Sequence, residues 1–292
     1  STNGIQDLTN CSNGISTSRS ASVSQHSDFA PDRRPARPIS HRVDVAIIGS
    51  GFSGAILAWI LSRQGMRVAL IDSATHPRFA IGESSTPIAD TILRRLGQQF
   101  ELPELCSLST WGQWQNNHRE LACGLKRGFS YFFHRKGEPF LESKPGERSL
   151  LVSASPDDEV ADTHWYRPDV DTYLWRQAVA AGALDLTGCE VGAIEQTSDA
   201  LWALECGQPS PAKVFTEWVI DASGRSSVLA QRTNAPSLVD RLQTRSRSAF
   251  AHYRGVASWH SVAQRKGLDQ SRDPFDPDDA AQHHLVGDGW VW

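Results

Sequence analysis

The chain lacks any run of about eighteen apolar residues, the length a helix needs to cross a bilayer, so it offers no membrane span. It also lacks a dominant charge sign. With 29 Lys and Arg against 33 Asp and Glu the net charge is −4, and this mild acidity argues against nucleic acid as a partner. Cysteine is sparse and unpatterned: Cys11, Cys106, Cys123, Cys189 and Cys206 form no C-x-x-C pair. That excludes a zinc-type spacing and a disulfide framework, and it fits a reducing, cytoplasmic setting. Metal ligation finds no other support. His283 and His284 are adjacent, so in a strand they face opposite ways and lack a third ligand. The acidic stretch 273–279 contains two prolines and lacks the glycine and terminal glutamate of a calcium loop, so it reads as a turn. No repeat is present. Residues 1–42, rich in Ser, Thr, Asn and Pro, have too few apolar groups to offset their ordering entropy and are predicted to form a disordered tail.

What the chain does have is a framed glycine fingerprint. An apolar run, residues 43–48, reads as a buried parallel strand and leads into Gly49-Ser50-Gly51-Phe52-Ser53-Gly54. An apolar helix over 55–61 follows, stopped at Gly65, and a second strand over 68–71 ends in Asp72. This is the order of a dinucleotide-binding unit. The glycines permit a tight turn and close approach to a pyrophosphate, the helix start supplies amide donors, and the acid receives ribose hydroxyls. An α/β fold of the Rossmann-like type is therefore predicted.

Further along, residues 73–85 read as an irregular loop, and on spacing alone its Glu83 is a surface carboxylate. Thr86 is the expected N-cap of a helix with Pro87 in its first turn; Ile88, Ile92 and Leu96 are its expected buried face and Gly97 its stop. A helix is expected from Asp171 to Ala181, closed by Gly182. Strands are expected over 184–186, 190–195, 201–206 and 213–220, a small meander. Arg241, Arg245, Arg247 and Arg254 surround Ala249-Phe250-Ala251, which reads as a strand carrying solvated charges.

The run Ile71-Asp72-Ser73, followed by Pro77-Arg78 and Gly82-Glu83-Ser84, resembles a loop of the flavin-dependent halogenases, relatives of the flavin monooxygenases. Three more segments resemble that family in the same order. Gly124-Leu125-Lys126-Arg127-Gly128-Phe129-Ser130-Tyr131-Phe132 is similar to the segment carrying its catalytic lysine. Val219-Ile220-Asp221-Ala222-Ser223-Gly224-Arg225 is similar to the strand and turn that return to the flavin. Gly289-Trp290-Val291-Trp292 resembles the start of its W-x-W-x-I-P signature.

The resemblance implies an FAD-binding domain of the monooxygenase type over 43–115 and 160–235, with an incomplete substrate-side β-sheet region over 116–159 and 236–292. It implies cofactor contacts from Gly49, Gly51, Phe52, Ser53 and Gly54, from Asp72, Ser73, His76, Phe79, Gly82, Glu83 and Ser84, and from Val191, Asp221 and Gly224. The implied chemistry is halogenation of an electron-rich aromatic small molecule by hypohalous acid. The acid forms from oxygen, chloride or bromide, and reduced FAD supplied in trans by a flavin reductase. Lys126, one of only five lysines, would bind or carry the electrophilic halogen, and Trp290 and Trp292 would wall the flavin off from the substrate. Read without the resemblance, Lys126 is a surface lysine at a strand end and the tryptophans are core packing. Because the chain stops inside the signature, a fragment or shortened product is expected. A flavin monooxygenase on the same fold, or a non-catalytic flavin-binding remnant, remains an alternative.

Overall fold

The computed structural model describes residues 38–141, 146–207, 211–267 and 269–292. Cys11 and the tail expected over 1–42 lie, through residue 37, outside the described residues.

The first strand, β1 (Ile39–Ile48), starts earlier than its apolar run, because Ile39 to Val43 already pair with a later strand. Its side chains alternate between two cores. Val45 and Ile47 face one cluster, and Ala46 and Ile48 the other, so the strand is buried on both sides as a central parallel strand should be. Helix α1 (Phe52–Arg63) and β2 (Val68–Asp72) complete the predicted unit, with Gly65 at φ +82° in the turn between them.

Next come α2 (Pro87–Gln99), the single turn α3 (Pro103–Cys106) and α4 (Trp111–Asn117). Thr86 caps α2 as expected, its Oγ1 accepting from the Ala89 amide at 3.3 Å. The predicted buried face is only partly correct: Leu96 packs against the core, but the two isoleucines do not. Ile88 is 73% and Ile92 50% exposed, while Asp90, Leu93 and Gly97 face inward at helical spacing. The apolar pattern was misleading because one inward position is a carboxylate with a buried partner. Gly97 does not stop the helix either. It lies where α3 crosses, and a Cβ there would come within 2.4 Å of Cys106 Sγ.

The middle of the chain gives β3 (Cys123–Lys126), β4 (Gly128–His134), β5 (Ser149–Ser153) and β6 (Asp162–Trp165). Helix α5 (Arg167–Ala180) begins four residues before the expected Asp171, because Pro168 is tolerated in a first turn where its missing N–H has no role. Strands β7 (Leu184–Thr187), β8 (Val191–Gln196), β9 (Trp202–Cys206) and β10 (Ala212–Asp221) match the expected strands within a residue or two, but the meander holds only β8, β9 and β10, since β7 pairs in parallel with β2 at the opposite edge of the sheet. After the short α6 (Val228–Arg232), residues 249–251 are irregular rather than a strand. The arginines around them are exposed, and Phe250 stacks on Phe79 instead of entering a sheet. Helix α7 (Trp259–Lys266), β11 (Ala280–Val286) and β12 (Gly289–Val291) end the chain.

The main sheet has the order β7-β2-β1-β10-β9-β8. Its first four strands are parallel, and β9 pairs antiparallel with both β10 and β8. Helices α1 and α5 pack one face of the parallel strands, where Leu70, Val170 and Leu174 are fully buried, each contributing about 1.5–3 kcal/mol of transfer free energy. A second sheet has the order β12-β11-β4-β5, and β3 and β6 form a separate antiparallel pair. Among the described residues no helix is long and apolar enough to cross a membrane.

Candidate functional site

The glycine turn lies at the carboxyl end of β1, where the strand order diverges to β2 on one side and β10 on the other, the position at which open α/β sheets bind ligands. Two glycines are required there by close approach. Gly49 has φ +109°, and a Cβ on it would meet the Ala222 carbonyl oxygen at 2.4 Å; a Cβ on Gly54 would meet the Gly49 carbonyl oxygen at 1.9 Å. Helix α1 starts at Phe52 with no side chain capping it, and its first internal bond runs from the Ala55 amide to the Gly51 carbonyl at 2.9 Å. Its leading amides therefore form an uncapped positive end over the turn. The Phe52 ring itself is in the core, stacked on Trp165 at 4.7 Å.

Asp72, at the end of β2, anchors this turn. Its Oδ2 accepts from the Ser50 amide (2.8 Å), Ser50 Oγ (2.9 Å) and Arg78 Nη2 (3.1 Å), and its Oδ1 from the Ala74 amide (2.9 Å). Burial alone would raise this carboxyl, but the two amide bonds and the Arg78 charge carry it below the usual range. A cleft of about 520 Å³ opens beside it, lined by Gly49, Asp72, Ser73, Arg78, Val191 and Ser223 among others. His76 is held beneath by Ser50 Oγ (2.8 Å) and by stacking on Trp175, and burial pushes it below its ordinary value. Asp221 and Gly224 line a neighbouring cleft with Ser53. The Asp221 carboxylate is occupied in capping, taking Ser223 N at 3.0 Å and Leu229 N at 2.8 Å.

The loop from Phe79 to Ser85 is pinned from α5. Arg167 grips the fully buried Asp171 through two bonds (2.7 and 2.9 Å) and reaches the carbonyls of Ile81 and Gly82 (2.8 and 3.0 Å). Glu83 faces His252 Nε2 at 3.0 Å, Phe79 stacks on Phe250, and Ser84 bridges to His164. Ser85 Oγ accepts from the Thr163 amide at 2.8 Å, which fixes the loop along β6.

Lys126 is no surface lysine: it is 1% exposed. Its Nζ donates to the Ser85 carbonyl oxygen (2.5 Å) and to Asp162 Oδ2 (3.4 Å), and lies 4.4 Å from the centre of the Phe129 ring. Burial lowers its pKa, and Asp162 opposes that shift. Asp90 reaches the same place from α2, and burial together with the neighbouring Asp162 pushes it up to about 8. His164, on the same strand as Asp162, is driven down to about 4 by burial and by Lys126.

Trp290 and Trp292 lie at the edge of the second sheet, 60% and 63% exposed, so core packing does not describe them in this chain. The structure nevertheless links Trp292 to Lys126. Phe129 borders His283 (6.2 Å between ring centres), Tyr131 stacks on His283 (4.8 Å), and His283 stacks on Trp292 (6.0 Å). Residues 111–117 form α4, capped by His118, with Trp114 fully buried.

Sequence reasoning missed Asp90, Asp162, Asp171 and Arg167. A carboxylate at helical spacing with inward Leu93 and Gly97 was the available signal for Asp90, and it was outweighed by the isoleucines.

The family model for FAD dependent oxidoreductases matches residues 44–278. The chain is 32% identical over 249 residues to tetracycline 7-halogenase of Kitasatospora aureofaciens, covering 85% of this chain and 43% of that protein. It is 30% identical over 255 residues to the monodechloroaminopyrrolnitrin halogenase PrnC of Pseudomonas fluorescens, covering 87% and 42%. The crystal structure of halogenase PltM in complex with phloroglucinol and FAD superposes with a TM-score of 0.67 at 26% identity, covering 85% of this chain and 47% of that one. The chain thus spans less than half the length of these relatives. The chain therefore belongs to the FAD dependent oxidoreductases and is similar within them to the flavin-dependent halogenases.

Proposed function

We propose that the protein serves FADH2- and O2-dependent halogenation of an electron-rich aromatic small molecule by hypohalous acid. The observation that carries this reading is the buried Lys126, tied by an aromatic row to Trp292. The residues present fit FAD. The uncapped start of α1 suits a pyrophosphate, Asp72 Oδ1 keeps a lone pair for a ribose hydroxyl, and the buried Arg78 Nε and His76 Nδ1 have no hydrogen-bond partner among the described residues. Gly49, Gly51, Phe52, Ser53 and Gly54 would hold the phosphates through their backbone, and Asp72, Ser73 and Val191 the adenosine end. His76 would support the turn, Asp221 and Gly224 would close its far side, and the pinned Phe79, Gly82, Glu83 and Ser84 would reach the ring.

Bound reduced FAD, with oxygen and chloride or bromide, would supply hypohalous acid, and a flavin reductase would supply the reduced flavin. Lys126 would then either donate a hydrogen bond to that acid from its ammonium or, as the neutral amine, take the halogen at Nζ as the oxygen–halogen bond breaks and water leaves. Trp290 and Trp292 would bound the substrate side. This assigns 43–115 and 160–235 to FAD and 116–159 with 236–292 to substrate. The division has support in the main sheet's use of residues 39–72 and 184–221, and the second sheet's use of 128–153 and 280–291. The free thiols Cys106, Cys123 and Cys206 support a reducing, cytoplasmic setting.

The test has two steps. FAD binding is followed by flavin fluorescence, with Gly51→Trp as control, since Arg78 Nη2 already stands 3.3 Å from the position of a Cβ there. Product is then assayed by mass with reduced FAD, oxygen and either halide, using phenol, indole and pyrrole acceptors. Halide-dependent product that disappears in Lys126→Ala supports the reading. Hydroxylated product independent of halide would make the protein a monooxygenase, and a folded chain without FAD binding would overturn both.

A further inference from the structure

Lys126 is enclosed by two carboxyl groups from different elements, and their charges do not balance. Asp162 stands directly across the β3–β6 pair from Lys126 in register, and Asp90 enters from the first turn of α2; all three are buried. Fully ionised, the cluster would hold one positive and two negative charges out of water, at a cost that one proton removes. The two carboxyls are not equivalent. Asp162 has the ammonium as its partner, 3.4 Å from Oδ2, whereas burial and the neighbouring Asp162 both push the Asp90 carboxyl up, which marks Asp90 as the one built for that proton. Asp90 Oδ1 is buried with no hydrogen-bond partner among the described residues. An unpartnered oxygen is far cheaper on a neutral acid than on a carboxylate.

We propose that Asp90 and Asp162 are positioning residues for Lys126: they share one proton, leaving a single carboxylate charge that holds the ammonium against the Ser85 carbonyl and over the Phe129 ring. This rests on the reading of Lys126 as the catalytic lysine.

The surrounding groups agree with this count of protons. From β3 the cluster meets Cys123, whose thiol burial pushes up to about 12 and so keeps neutral. From β6 it meets His164, kept neutral by its lowered pKa. The loop before α2 contributes the Ser85 hydroxyl and carbonyl, and β4 the Phe129 ring. Lys126 is thus left with one counter-charge. That charge fixes Nζ while its remaining N–H is available on the Phe129 side, and it sets the pH at which the amine becomes neutral and nucleophilic. A neutral Asp90 that donates to Asp162 also weakens the hold of Asp162 on the ammonium, so the pair tunes Lys126 rather than only neutralising it.

The test is carboxyl and amine NMR on the folded chain, labelled with 13C at Asp Cγ and 15N at Lys Nζ. In the wild type one Asp carboxyl is expected to titrate near or above neutrality, well apart from low-titrating carboxyls such as Asp72. Asp90→Asn keeps a donor toward Asp162, so it should abolish that titration and leave the Lys126 Nζ signal and its midpoint within about half a pH unit. Asp162→Asn should move the high carboxyl midpoint down by about two units or more, because the neighbouring charge that raised it is gone. It should also shift the Lys126 midpoint. A purely structural pair would change stability in both variants without moving either midpoint. Wild-type carboxyls that all titrate below about pH 5 would overturn the proposal, as would a Lys126 midpoint unchanged in Asp162→Asn. If Asp162→Asn does not fold, the wild type and Asp90→Asn decide the matter. A high carboxyl midpoint together with undiminished halogenation by Lys126→Ala would sink the catalytic role of Lys126 while leaving the pair established, so the two failures are distinguishable.

Discussion

Lys126 Nζ and the Phe129 ring centre are 4.4 Å apart, and this contact joins the buried charge cluster of β3 and β6 to the aromatic face of the second sheet. Because Phe129 also borders His283, and His283 stacks on Trp292, a change at the ring is transmitted to both ends. Phe129→Leu is expected to destabilise the chain by about 1–2 kcal/mol, from lost area and the lost cation–π contact. It should also shift the Lys126 Nζ resonance. Urea unfolding and 15N spectra check both; an unchanged Nζ signal would show that the contact has no energetic content.

Lys126→Met removes the only ammonium from beside two carboxyls. At pH 8 the loss is expected to be about 3–5 kcal/mol, the usual consequence of leaving a buried charge without its partner. At pH 5 it should shrink, because a second proton can neutralise the pair. Urea midpoints at the two pH values test this, and an equal loss at both would point to packing instead of charge.

Gly54→Ala places a methyl group 1.9 Å from the Gly49 carbonyl oxygen, a backbone atom that cannot swing aside. We expect about 1–3 kcal/mol of destabilisation, as for other overpacked sites. Flavin affinity should fall by at least tenfold, since the turn itself must open. Thermal unfolding and FAD titration provide the measurements.

Arg167→Ala orphans the fully buried Asp171 and releases the carbonyls of Ile81 and Gly82. A loss of about 3–5 kcal/mol is expected, with faster tryptic cleavage at Arg78. Arg167→Lys should recover little, because an ammonium cannot make the two-pronged contact with Asp171 and still reach both carbonyls.

Acid sensitivity has an identifiable source. His164 is neutral in the fold with its pKa down at about 4, against an ordinary value of 6.5, so the unfolded chain takes up the proton first. Its contribution to stability is therefore present above about pH 6.5 and is lost as the pH falls through about 4. His164→Gln should flatten the decline of the unfolding midpoint between pH 6.5 and 4. An identical pH profile in the variant would remove His164 as the cause.

Elements whose signal is local were legible in the chain. The glycine turn, the two strands that frame it, the Thr86 cap and the β8–β10 meander depend on residues near one another in sequence, where apolar periodicity and turn chemistry act directly. The same holds for Asp72, whose partners Ser50 and Ala74 are set by the unit it closes. Residues 249–251 show the opposite case: a strand needs a neighbour, and whether one exists is a long-range fact that an apolar triplet does not carry.

The sequence by itself determined that this is an α/β chain with a dinucleotide turn, and it singled out Lys126 and the Trp290/Trp292 pair through a family pattern. Only the tertiary structure decided that α2 turns Asp90 inward rather than Ile88 and Ile92, that Arg167 and Asp171 clamp the loop at Gly82, and that Lys126 is buried against Asp162. The physical reason is common to all three. A charged side chain is tolerated inside only when a distant residue supplies its counter-charge or hydrogen bond, and that pairing does not exist until the chain has folded.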